Sequence, residues 1–113
     1  MKNITEKKDN IIDTYAIKNK NKISYLDDNT SYKITIIDKE IMLIRDNEEF
    51  THKFMFNIDK ITQSEYYIKE LNTSIKVKVK TNKIIQNEKK IMIEYEIIDS
   101  NDKYSYTLDM EWI

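Results

Sequence analysis

The chain has 113 residues, enough for one domain and one core but not for two. It contains no cysteine, which excludes disulfides, thiolate metal sites and cysteine catalysis, and its 19 basic and 20 acidic residues leave a net charge of −1. That balance argues against bulk attraction to nucleic acid or anionic lipid.

Arg45 is the only arginine, so the usual bidentate reader of phosphate and guanine is nearly absent. No apolar run approaches the roughly 20 residues needed to span a bilayer. Met1–Asn10 carries Lys2, Glu6, Lys7, Lys8 and Asp9 and no apolar stretch, unlike a secretory signal. A cytoplasmic protein is the resulting expectation. Glycine and proline are both absent. Phosphate-cradling loops of the P-loop or Rossmann type need glycines for close backbone approach, so neither is expected. Turns that require positive φ must instead use Asn or Asp.

In chain order, Met1–Asn10 is polar and aperiodic and reads as a flexible lead-in, with the single domain over residues 11–113. Ile11–Lys18 reads as a first strand and Lys22–Leu26 as a second, with turns at Asn19–Asn21 and Asp27–Asn29. Tyr32–Ile37 and Ile41–Arg45 follow; the latter is apolar on both faces, so both faces are expected to be covered or one to meet a partner. Phe50–Phe56 alternates Phe50, His52, Phe54 and Phe56 against Thr51, Lys53 and Met55. Gln63–Ile68 carries Tyr66 and Tyr67.

Three further strands complete the pattern. Thr73–Lys80 sets Ile75, Val77 and Val79 against Lys76, Lys78 and Lys80; Asn82 and Asn87 read as reversals. Ile91–Ile98 aligns Ile91, Ile93, Tyr95 and Ile97, and Tyr104–Ile113 aligns Tyr104, Tyr106, Leu108, Met110 and Trp112. A period of two puts alternate side chains on opposite faces of a sheet. Strands recurring every 8–12 residues predict an all-β sandwich or barrel. An up-and-down antiparallel barrel disposes of exposed edges most simply, although a chain this short can also leave the barrel open.

The runs IMLIR (Ile41–Arg45) and KFMF ending at Phe56, then YYIKELNTSIKVKVKTNK and KIMIEYEI, resemble the YwiB-like family of bacterial domains of unknown function, from Tyr32 to the C-terminus. Arg45, Phe56, Tyr67, Thr81 and Tyr95 fall on its pattern. The resemblance implies a calycin or lipocalin-like antiparallel β-barrel. It also implies glycines where Asp46–Asn47 and Asn72 stand, so left-handed Asn is expected there. The N-terminal region is shorter than the family's, which leaves barrel closure open.

Arg45 shares a face with Ile41 and Leu43. It either reaches inward, where a guanidinium can clamp a carboxylate, or snorkels to solvent and pairs with an acid. Tyr67, Tyr95, Tyr104, Tyr106 and Trp112 either line a pocket or form ordinary core. Alternation with Phe50 and Phe54 makes His52 a packed or rim residue rather than a metal ligand or base. Glu94 and Glu96 read as a wet face opposite the Lys76–Lys80 lysines rather than a catalytic pair. Lys76, Lys78, Lys80 and Lys83 lack interleaved aromatics, so they read as a solvated stripe rather than a single-strand nucleic-acid surface. The Asp27–Asp28 and Asp99–Asp102 loops lack calcium-loop spacing.

The expected function is a non-catalytic domain holding a small apolar or amphipathic ligand against Arg45, Tyr67, Tyr95, Tyr106 and Trp112. The expectation includes no cofactor or metal, no nucleic-acid or membrane partner, and a monomer or homodimer. The alternative is an interaction module that oligomerises through an open sheet face.

Overall fold

A computed structural model describes the backbone of residues 3–5, 11–13, 16–19 and 21–110 and the side chains of 21–110. Those residues contain strands and turns but no helix. The first strands are β1 (Asn3–Thr5), β2 (Ile11–Asp13), β3 (Ala16–Asn19), β4 (Lys22–Asp27) and β5 (Thr30–Ile37). Next come β6 (Glu40–Asp46), β7 (Phe50–Asn57) and β8 (Thr62–Ile68), then β9 (Thr73–Gln86), β10 (Lys90–Ile97) and β11 (Asp102–Asp109).

All described pairings are antiparallel. The strands form a single sheet in the order β2-β1-β11-β10-β9-β8-β7-β6-β5-β4-β3. From β3 to β11 this is an up-and-down meander, and β1 and β2 then continue it beyond β11. The two ends of the sheet, β2 and β3, are separated in the chain by residues 14 and 15 alone. Three virtual bonds of 3.8 Å place Asp13 and Ala16 within about 11 Å of each other. The sheet therefore curls back on itself as an open barrel, with its seam between β2 and β3.

The lead-in reading is corrected here: Asn3–Thr5 is a strand, paired with Thr107–Asp109 on one side and Ile11–Asp13 on the other. It sits between β11 and β2, and three residues are too few to show a period. The expected first strand, Ile11–Lys18, divides into β2 and β3, which serve opposite ends of the sheet.

Alternation sets the core. Ile23, Ile34, Ile41, Leu43, Phe54, Phe56, Val79, Ile91, Ile93 and Leu108 are buried on the concave face. The side chains between them point out: Lys76, Lys78, Lys80 and Lys83 are exposed, with Lys80 opposite Glu96 and Lys83 opposite Glu94. Such opposite-charge rows stabilise neighbouring strands modestly and discourage edge-to-edge pairing. Met42 and Ile44 also face outward, half-buried.

Asn82 is not a reversal. It lies inside β9, where the register slips between Glu94/Lys83 and Tyr95/Thr81. Asn82 and Lys83 together oppose Glu94, a β-bulge that returns Ile84 to the inner face opposite Ile93.

Without glycine, the turns use acids and amides. Asp28, Asp38, Asn72 and Asn101 all have φ between 48 and 59°. Asn72 thus takes the left-handed conformation expected of it. Asn47 does not; its Oδ1 accepts from the Glu49 and Phe50 amides, and its Nδ2 donates to Thr30 Oγ1. A side-chain Asx turn replaces the glycine there.

Candidate functional site

The β6–β7 register sets Arg45 opposite His52, with Tyr32 beyond Arg45 on β5 and Tyr66 beyond His52 on β8. One inward-facing row therefore runs from Tyr32 through Arg45 and His52 to Tyr66. Arg45 points inward. Its Nη2 donates to His52 Nδ1 at 2.7 Å, and its guanidinium carbon lies 5.6 Å from the centre of the Phe54 ring. The inward reading of Arg45 is the one realised, and across the strand pair it meets a histidine.

His52 is packed as its alternation with phenylalanines predicts. Its ring centroid lies 4.0 Å from that of Phe54, and Tyr66 meets it edge-on at 5.1 Å. Its Nε2 is 2.9 Å from the hydroxyl of Ser64, which is fully buried. Arginine can only donate, so Nδ1 must accept and Nε2 must carry the proton toward Ser64. Burial first, and the charge of Arg45 second, push the His52 pKa down to about 4, so the ring is neutral at pH 7.

This polarity excludes nucleophilic catalysis by Ser64. An imidazole that holds its proton on the nitrogen facing the serine cannot remove the serine's proton. Ser64 is, in addition, sealed from solvent. The chain Arg45–His52–Ser64 instead acts as a brace that fixes the guanidinium.

That brace stands at the wall of a cleft of about 300 Å³. Leu43, Phe54, Val77 and Ile97 give it aliphatic and aromatic sides; Tyr95, Tyr104 and Tyr106 complete the wall, and Ser100 lies in the β10–β11 turn. The Tyr95 and Tyr104 rings lie 5.3 Å apart and only 17° from parallel. Phe54 meets Tyr95 at 5.5 Å, inclined by 59°. Tyr106, buried, shares a 2.5 Å hydrogen bond with Tyr25 across the interior. Ile75, on the same face of β9 as Val77, is 50% exposed and carries apolar surface outward from the cleft.

Of the residues singled out in the sequence, Arg45, Tyr95, Tyr104 and Tyr106 meet in this cleft. Tyr67 does not. It stands opposite Thr51 and Ser74 on the convex face, and its hydroxyl donates to Asn72 Oδ1. Adjacent residues on a strand take opposite faces, so Tyr66 is the tyrosine that faces inward, stacked on Phe50. Trp112 lies outside the described residues. His52, Ser64 and Phe54 were missed as partners of Arg45; the equal offsets of Arg45 and His52 from the β6–β7 turn were the available signal.

Outside the cleft, Asp46 accepts from Thr51 Oγ1 at 2.6 Å and pairs with Lys69 at 3.0 Å. The Thr51 hydrogen bond, then Lys69, hold its carboxyl below the usual range. No group of three or more metal-ligating side chains occurs among the described residues, and no helix there is long and apolar enough to cross a membrane.

No protein-family model, curated protein or solved structure matches the chain.

Proposed function

We propose that the protein is a small cytoplasmic binding domain, of the calycin kind that the YwiB-like resemblance implies, which takes up a small amphipathic ligand in the Arg45–Tyr106 cleft and catalyses no reaction on it. The observation that carries this reading is the cleft itself: about 300 Å³ of space with apolar and aromatic walls and one guanidinium. Ligand sites are typically concave, largely apolar and furnished with a few placed polar groups, and they start at about this size. The space is roughly ten times the volume one water occupies in the liquid. It suits one or two rings or a short chain and is too small for a long acyl tail. The direction of the Arg45–His52–Ser64 hydrogen bonds supports binding over catalysis.

Native mass spectrometry of protein purified from its own host, followed by amide NMR titration with neutral, cationic and anionic amphipaths, tests the reading. Retained small-molecule mass, or shifts concentrated at Phe54, Tyr95 and Tyr104, is the expected result. Bare protein together with no cleft shifts from any compound overturns it.

A further inference from the structure

We propose that the overhanging edge of β9 at Thr73–Val77 is a strand-addition site for an extended segment of a partner protein in which acidic and apolar residues alternate. The edge borders the cleft at Val77, and the assignment stands whether or not the cleft takes a ligand.

The edge arises from unequal strand lengths. β9 has 14 residues and β10 has 8. β8 pairs with β9 over Thr73–Val79, whereas β10 pairs with it only from Val79 to Gln86. One further bond, from the Ile98 N–H to Lys78 O at 3.1 Å, ends the β10 side. The chain then turns, with the Asn101 N–H on Ile97 O at 2.9 Å, and returns as β11. No described strand continues beside Thr73–Val77. In an antiparallel ladder a residue directs its N–H and C=O to the same neighbour, and successive residues alternate between neighbours. Lys78 O faces β10, so the N–H and C=O of Ser74 and of Lys76 face that same side, beyond the end of β10. Thr73, Ser74, Ile75 and Lys76 are all exposed. Such a row of edge groups is a template for another strand.

The side chains select the strand. Ile75 and Val77 lie on the concave face, Lys76 and Lys78 on the convex one. Farther along, where β9 is paired on this same side, Lys80 and Lys83 stand opposite Glu96 and Glu94, while Ile93, Tyr95 and Ile97 take the inner face. β10 thus shows the pattern β9 accepts: carboxylates against its lysines, apolar residues on the other face. Lys78 has Gln63 across from it on β8, and Lys76 has Glu65 there and no strand on its other side. Neither is in an ion pair among the described residues. A second copy added at this edge would set lysine beside lysine, which is unfavourable; an acidic strand is the complement.

Calorimetry and amide hydrogen exchange on the full chain at pH 7, with the end-blocked peptide TVEYEIT, test the proposal. At saturation the Ser74 and Lys76 amides should exchange at least tenfold more slowly. TVKYKIT, and TVEYEIT N-methylated through its central Glu-Tyr-Glu, should each bind at least tenfold more weakly. Ser74→Pro removes an edge N–H without removing a bond to β8, a position where proline is tolerated, and should weaken binding at least tenfold. Lys76→Glu with Lys78→Glu should reverse the preference between the two peptides. The peptide comparison is made first on the wild type, so a variant that fails to fold does not rescue the idea. Equal binding of the N-methylated peptide overturns strand addition, and equal binding of TVKYKIT overturns the acidic assignment. Absence of binding with unchanged exchange overturns the site. A dimer in sedimentation without peptide, lost in Ser74→Pro, assigns the edge to a second copy and overturns the partner segment.

Discussion

At the scale of single residues, His52 makes stability depend on pH. Its folded pKa of about 4 lies below the ordinary value of 6.5, so folding disfavours its protonation. The stabilisation from this group is complete above pH 6.5 and is lost as pH falls from 6.5 toward 4. Because the ring is partly open to solvent, the full shift overstates the effect, and a loss on the order of 1–2 kcal/mol is expected. Urea unfolding of the wild type and of His52→Phe at pH 7 and pH 4 isolates it, since the other titrating groups are common to both. Wild type should lose 1–2 kcal/mol more than the variant, to order of magnitude; parallel losses would show that His52 is not held neutral. The same residue marks how far the sequence could be read. Alternation gave its packing and put Arg45 on the face of Ile41 and Leu43, but left open whether the guanidinium turns inward or snorkels to solvent. The Arg45–His52 hydrogen bond depends on register across a turn, which a single strand's pattern does not contain. Tyr67 shows the complementary error. Two adjacent tyrosines always split between faces, and which one faces inward depends on where the strand is counted from: Ser64, buried and polar, belongs to the inner set although its chemistry suggests the outer.

At the scale of elements, β9 departs most from its sequence pattern. The alternation Ile75, Val77, Val79 is sound, yet it breaks at Asn82, and a break in period next to an asparagine looks like a turn. The bulge explains it: one extra residue shifts the phase by one, and Ile84 resumes the inner face. Deleting Asn82 should therefore leave every inward side chain inward, with one residue again opposite Glu94. Deleting Lys76, six residues earlier, should turn Val77 and Val79 outward and Lys78 and Lys80 inward as far as the bulge, because a one-residue slip exchanges faces. The first deletion is expected to cost less than about 2 kcal/mol and the second more than about 4, the range reserved for lost core packing. Urea midpoints of the two proteins give the answer; equal losses would mean that the extra residue at Asn82 is required by the fold rather than accommodated by it.

At the scale of the molecule, the strand sequence runs round a ring and stops at a seam between β2 and β3. The meander of the later strands was legible because each is half-buried and alternates. The closing pair was not, because β1 and β2 are three residues each and join the sheet through backbone pairing that polar residues also provide. Inside the barrel, β4 on one side of the seam meets β11 on the other in the hydrogen bond between Tyr25 and Tyr106, 81 positions apart and both buried. Tyr25 is itself stacked on Tyr32 at 4.6 Å, so its ring is set before the bond forms. A buried bond of this kind contributes about 1 kcal/mol net, and losing one partner costs about 1–3. Single Tyr25→Phe and Tyr106→Phe changes should each destabilise by that amount. The double change should cost less than their sum, with a coupling of about 1 kcal/mol in a double-mutant cycle. If the barrel is held at this point, the single variants should also speed amide exchange in Lys22–Asp27 and Asp102–Asp109 ahead of Glu40–Asp46. Additive losses with uniform exchange would mean that the ends of the sheet are held by the chain link at residues 14 and 15 alone.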